Sequence, residues 1–211
     1  MTIRLYDEDA YVKEFDAKVI GLYGKHVKLE KTAFYAESGG QSGDTGFLNN
    51  KRVVNTIYDD NKHVHVMEKE PSFNIGETVH GEISWYRRYK IMRLHSASHI
   101  MEYFLWKNFG YMERLGSNVD DRKDRADYVH DGRLDPDLLY KTEKETNQFF
   151  AENHEITITK DKEGIRTWKC GPVEMHCAGT HVKNTKEIGQ IKLKRKNPGR
   201  GKERVETYLK E

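Results

Sequence analysis

A chain of 211 residues is long enough for one large domain or two small ones. Charged residues make up 33% and hydrophobic ones 36%, with 11% aromatic, a mixture that excludes disorder throughout. The formal net charge of +2 excludes a uniformly polycationic molecule, and two cysteines are too few for a disulfide framework.

In chain order, residues 1–84 read as short strands joined by polar turns. Ala17 to Tyr23 alternates imperfectly and ends at Gly24, and His26 to Glu30 alternates more cleanly. Thr32-Ala-Phe-Tyr35 leads into the turn-forming stretch Glu37-Ser-Gly-Gly-Gln-Ser-Gly-Asp-Thr-Gly46. Further strands are expected over 52–58, 63–67 and 78–84, with Asn49-Asn50 and Asp59-Asp-Asn61 as turns. Many short strands with polar turns suggest a small β-barrel.

The pattern changes at Trp85. A helix is expected from about Tyr86 to Phe109, ended by Gly110, with Leu94, Ala97, Met101, Phe104 and Leu105 as an apolar stripe. His95, His99 and Glu102 would flank that stripe at the edge of a core. Asp135-Pro136 marks the start of a second helix running to about Asn153. Strands are expected over 126–130, 155–159, 190–194 and 204–209. Residues 85–211 therefore read as an α+β domain following the N-terminal β-barrel domain of residues 1–84, and the chain as α+β overall. No apolar run approaches the roughly 20 residues of a membrane span, and the start lacks a secretory h-region, so a cytoplasmic location is expected.

His95 and His99 lie one helical turn apart and face the same way. Cys177-Ala-Gly-Thr-His181 supplies a thiol and a third imidazole at the same spacing, with Gly179 allowing a turn between them. Imidazole and thiolate together suit zinc, whereas magnesium and calcium require oxygen donors. Cys170 and His176, in the donor-dense run before Cys177, are alternative ligands. Two basic clusters suit a nucleic-acid backbone or a solvated surface: Trp85-Tyr-Arg-Arg-Tyr-Lys90, with Arg87 and Arg88, and the tail from Lys183 to Lys210, with Lys194, Arg195 and Lys196. No phosphate-cradling Gly-x-x-x-x-Gly-Lys-Ser/Thr motif occurs, so no nucleotide cofactor is expected.

Three motifs in order carry a family resemblance. The stretch Thr32 to Gly46 resembles the glycine-rich motif of alanyl-tRNA editing proteins, His95-Ser-Ala-Ser-His99 their His-x-x-x-His motif, and Cys177-Ala-Gly-Thr-His181 their Cys-x-x-x-His motif. The chain is similar to free-standing AlaX proteins of the medium-length class, related to the editing domain of alanyl-tRNA synthetase. Ala36 and Ser38 stand where the family often has proline and glycine, and Ala178 where it often has glycine. A glutamine near the loop at Gly116 helps line the pocket in related domains; this chain has Arg114 and Asn118 in that stretch.

The resemblance implies zinc at His95, His99, Cys177 and His181. It implies hydrolysis of the ester in alanine tRNA mischarged with serine, and with glycine in some members. It also implies Thr32 as the residue that recognises the serine hydroxyl. From their residue types, Gly39, Gly40 and Gln41 either bring backbone close to the tRNA or the other domain, or form a tight hairpin turn. The general base is open, with Asp127, Glu102 and His26 as candidates. A non-catalytic RNA-binding module with structural zinc is the alternative. A zinc protease is more distant, because Ser96 holds the place of the glutamate in His-Glu-x-x-His.

Overall fold

The computed structural model describes residues 2–210. It is a mixed fold, mostly sheet with two long helices. In the N-terminal part the strands are β1 (Ile3–Arg4), β2 (Glu14–Tyr23), β3 (His26–Leu29), β4 (Lys31–Thr32), β5 (Gly46–Leu48), β6 (Lys51–Asp59), β7 (Lys62–Met67) and β8 (Thr78–Ile83). β1 and β4 form a short parallel pair. The other six are hydrogen-bonded in the order β2-β3-β7-β6-β5-β8, and β8 pairs back onto β2 to close the ring.

The turns explain the ring's tight connections. Asn49 and Asn50 both have positive φ, as do Asp60 and Asn61. Consecutive left-handed residues match the right-handed twist of paired strands, which is why Asn and Asp sit at the β5–β6 and β6–β7 turns. Strict alternation in β8, and in the first half of β2, sends Phe15, Ala17, Val19, Val79 and Ile83 inward. They pack with Val27, Leu29, Phe34, Leu48, Val53 and Met67 as one apolar core.

Helix α1 (Trp85–Phe109) follows. It ends where Gly110 turns left-handed (φ 81°) with its N–H on the Trp106 carbonyl at 2.9 Å. The expected one-sided stripe is corrected: every residue from Leu94 to Glu102 is buried, so this stretch is enclosed on all sides. The chain divides into two compact units, Met1–Tyr89 and Lys90–Glu211, and the division falls inside α1 rather than ahead of it.

The second unit holds β9 (Arg114–Val119), β10 (Asp124–Val129), α2 (Pro136–Ala151), β11 (Thr157–Lys160), β12 (Arg166–Cys170), β13 (Val173–His176), β14 (Ile191–Gly199) and β15 (Lys202–Leu209). An antiparallel sheet runs β14-β15-β10-β9, and β11-β12-β13 form a second. Ile91 and Leu94 of α1 pack with Val119 and Leu209. α2 starts as expected: the Asp135 carboxylate accepts from the N–H groups of Asp137 (2.8 Å) and Leu138 (3.0 Å), and Pro136 takes the first helical position. Asn147 exchanges two hydrogen bonds with the Ile191 backbone, so α2 side chains cover the free edge of β14. Among the described residues no helix is long and apolar enough to cross a membrane.

Candidate metal centre and nucleic-acid contacts

One turn of α1 separates His95 from His99, and the loop after β13 supplies Cys177 and His181. All four donor atoms lie within 4.8 Å of one another. Cys177 Sγ is 3.1 Å from His181 Nε2 and 3.6 Å from His95 Nε2. The ring centroids of His95 and His181 are 4.3 Å apart, and those of His99 and His181 5.1 Å. Tetrahedral zinc with bonds of 2.0–2.3 Å needs donor separations of about 3.4–3.8 Å, so small side-chain movements would complete the cage. Cys170 and His176 are outside this group. Cys170 closes the β12–β13 hairpin opposite Val173, with its thiol buried and pushed up to about 11.

Further residues brace the four grouped side chains. Ser96 Oγ lies 3.2 Å from His181 Nδ1 and accepts the Val182 N–H, which leaves His181 Nε2 facing the thiol. Arg166 donates to the Ala178 carbonyl, and its own carbonyl accepts the Cys177 N–H, bracing the loop on both sides. Nothing in the sequence marked Arg166. Ser96 lay within a recognised motif, but its partner is 85 positions away.

The electrostatics favour a bound cation. Burial pushes His95 down to about 4 and holds His99 and His181 well below the usual imidazole range. The rings are therefore neutral, the state that binds metal. Burial raises the Cys177 thiol, so its thiolate needs a positive partner. Among the described residues neither buried ring nitrogen of His99 has a hydrogen-bond partner. An unsatisfied buried polar group costs about 1–3 kcal/mol, and a metal bond would remove that penalty at one nitrogen. The donor set fits a metal ion.

The remaining candidate residues are distributed as follows. Thr32 is buried; its Oγ1 lies 2.8 Å from His65 Nε2 and accepts the Phe34 N–H at 3.1 Å. Gly39 and Gly40 have φ of 57° and 82° and form a tight turn in which Ser38 and Gln41 exchange backbone hydrogen bonds; the Gln41 side chain is buried. Arg87 donates to the Gly43 carbonyl at 2.7 Å. Arg88 is 0% exposed and ion-paired to Asp44, so the structure gives it an internal role in place of phosphate contact. Arg195 is likewise drawn off by the buried carboxylate of Glu203. Lys194 and Lys196 point outward with Lys192 at alternate positions of β14, and Lys194 sits 4.6 Å above the Tyr208 ring. Of the general-base candidates, Asp127 pairs with Arg204 and Glu102 with Arg114, while His26 stands 3.8 Å from Asp59.

Comparisons with known proteins agree with this geometry. Residues 6–87 match the class II (A) tRNA synthetase family model, and residues 166–206 the model of the threonyl and alanyl tRNA synthetase second additional domain. The alanyl-tRNA editing protein AlaX-M of Pyrococcus horikoshii is 35% identical, over 99% of this chain and 98% of that protein. AlaX-M of Saccharolobus solfataricus is 33% identical over the whole of both. The alanine–tRNA ligase of Ignicoccus hospitalis is 34% identical over 91% of this chain but only 24% of its own length. With two full-length relatives above 30% identity, the chain belongs to the AlaX-M family of alanyl-tRNA editing proteins.

Proposed function

We propose that the protein is a free-standing aminoacyl-tRNA deacylase of the cytoplasm that hydrolyses Ser-tRNA(Ala), with Gly-tRNA(Ala) as a further substrate. The observation that carries this reading is the convergence of His95, His99, Cys177 and His181 in a chain of this family. Zinc is the proposed ion, because a borderline-soft metal accepts three imidazoles and a thiolate. When bound, it would position the substrate and assist the attacking water. His95, His99, Cys177 and His181 would hold it, Ser96 would fix the His181 ring, and Arg166 would hold the Cys177 loop. Gly39, Gly40, Arg87, Lys194 and Lys196 are the proposed tRNA contacts, joined by Lys192 on the same strand face.

The test is deacylation of serine-, glycine- and alanine-charged tRNA(Ala) with and without a chelator. The expected result is rapid release of serine, little release of alanine, and loss of activity on metal removal that added zinc restores. Equal rates on all three substrates, or no effect of stripping the metal, would sink the reading.

Thr32 is the proposed serine-recognition residue, and its hydrogen bonds support the chemistry. His65 Nδ1 faces the Val27 carbonyl at 3.1 Å, so Nδ1 carries the ring proton and Nε2 is a bare acceptor. Burial pushes His65 down to about 3, keeping it neutral. The Thr32 hydroxyl must then donate to His65, and its oxygen accepts from Phe34. One lone pair remains to accept a serine O–H, which alanine lacks. Thr32→Val is expected to lower the serine-to-alanine rate ratio by tenfold or more, about 1.4 kcal/mol. An unchanged ratio in the same assay removes Thr32 from this role.

A further inference from the structure

Arg114 is the first residue of β9, and its side chain is 40% exposed. Its Nη1 donates to Glu102 Oε2 at 3.2 Å. Glu102 lies on α1 three residues after His99, and its side chain is only 3% exposed. The other carboxylate oxygen accepts from the Tyr128 hydroxyl at 3.1 Å. Both oxygens of Glu102 are thus used, one turn along α1 from a metal ligand, and the guanidinium they hold reaches solvent. Its Nη2 and Nε donate to no side chain or carbonyl among the described residues. Because Glu102 follows His99 by three positions on α1, the guanidinium it holds lies about one helical turn along from that member of the His/Cys group.

We infer that Arg114, held by Glu102, forms a phosphodiester subsite beside the metal ligands and grips the phosphate that joins the terminal, acylated adenosine of the tRNA to its neighbour. The inference rests on the deacylase reading and adds a contact to it. An arginine with one edge anchored and one edge open is suited to a forked pair of hydrogen bonds with two phosphate oxygens. Its exposure argues for an anion that arrives with the substrate. A donor serving the charge that develops on the ester carbonyl oxygen would sit in a dry pocket. Glu102 touches no substrate in this scheme and is a positioning residue. Asp124, a second buried acid near this group, is pushed up to about 7 by burial and so offsets only part of the guanidinium charge.

The test compares two substrates that differ in the phosphate: Ser-tRNA(Ala) and the nucleoside ester 3′-O-seryl-adenosine, which has none. For Arg114→Gln the expected result on tRNA is a KM raised roughly tenfold or more, with kcat within about twofold of wild type. On the nucleoside ester, variant and wild type should agree within about twofold. A loss of equal size on both substrates, or a fall in kcat alone, overturns the subsite. Glu102→Gln should show the same KM pattern more weakly. Arg114→Lys keeps the charge without the fork and should fall between; it also serves if Arg114→Gln fails to fold or to hold metal.

Binding keeps the subsite testable apart from the enzymatic reading. If wild type hydrolyses neither substrate, the deacylase reading falls. Uncharged tRNA(Ala) is then compared with the same tRNA lacking its terminal nucleotide. Wild type should lose affinity on truncation by roughly tenfold. Arg114→Gln should lose several-fold less on the same truncation, whereas equal sensitivity in both proteins overturns the subsite.

Discussion

Cys177→Ala should reduce serine release from Ser-tRNA(Ala) by on the order of 100-fold, about 2.7 kcal/mol of transition-state stabilisation, and should strip most of the bound metal. The argument is one of charge. Of the four donors only Cys177 can be anionic; the others are neutral imidazoles. Arg166 and Arg114 already place positive charge near the thiol. Without the thiolate, a divalent ion would sit among buried neutral rings with cations nearby and no compensating negative charge. The fold should survive, because α1 and the four-stranded sheet have apolar contacts of their own. Metal analysis, circular dichroism and the deacylation assay on the same sample separate the cases. A folded, metal-poor, inactive variant supports the enzyme. Cooperative unfolding would support the alternative of an RNA-binding module with structural zinc. Full activity would remove Cys177 from the site.

How much of this was legible in the sequence depends on range. Elements set by local chemistry were readable: the Asn and Asp turns of β5–β7, the Asp135-Pro136 start of α2 and the Gly110 stop of α1 each follow from a few adjacent residues. The grouping of His95, His99, Cys177 and His181 was readable because two spaced pairs recur in a short code. β9 was missed because Arg-Leu-Gly-Ser-Asn-Val has low strand propensity and a mostly exposed face, and is held by pairing with β10. The β12–β13 hairpin was hidden because Cys170 to Cys177 looked like a store of metal donors, although Cys170 and Val173 close a two-residue turn. Long-range partners left no local trace. A charged residue in an aromatic-basic run reads the same whether it meets phosphate or a buried carboxylate, and Arg88, fully buried on Asp44, shows the second case.

Arg88→Met supplies the second large expected effect, and it separates those two readings of one residue. Within the first unit the Arg88 Nε lies 3.0 and 2.9 Å from the two Asp44 oxygens. Nη1 donates to the Ala10 carbonyl at 3.0 Å and Nη2 to the Ala33 carbonyl at 2.7 Å. One side chain therefore ties the start of α1 to the N-terminal segment, the bend just after β4 and the glycine-rich loop. Removing one partner of a buried ion pair leaves an unpaired charge and costs about 3–5 kcal/mol. Hydrogen exchange of the β2–β8 amides under native conditions should report a loss of protection of that size. Adding Asp44→Leu should restore part of it by removing the bare carboxylate. It should not restore all, because the Tyr35 N–H that Asp44 accepts at 2.7 Å and the two carbonyls would still lack partners. The opposite outcome, unchanged protection with weakened tRNA binding, would return Arg88 to the phosphate-contact role that its sequence neighbourhood suggested.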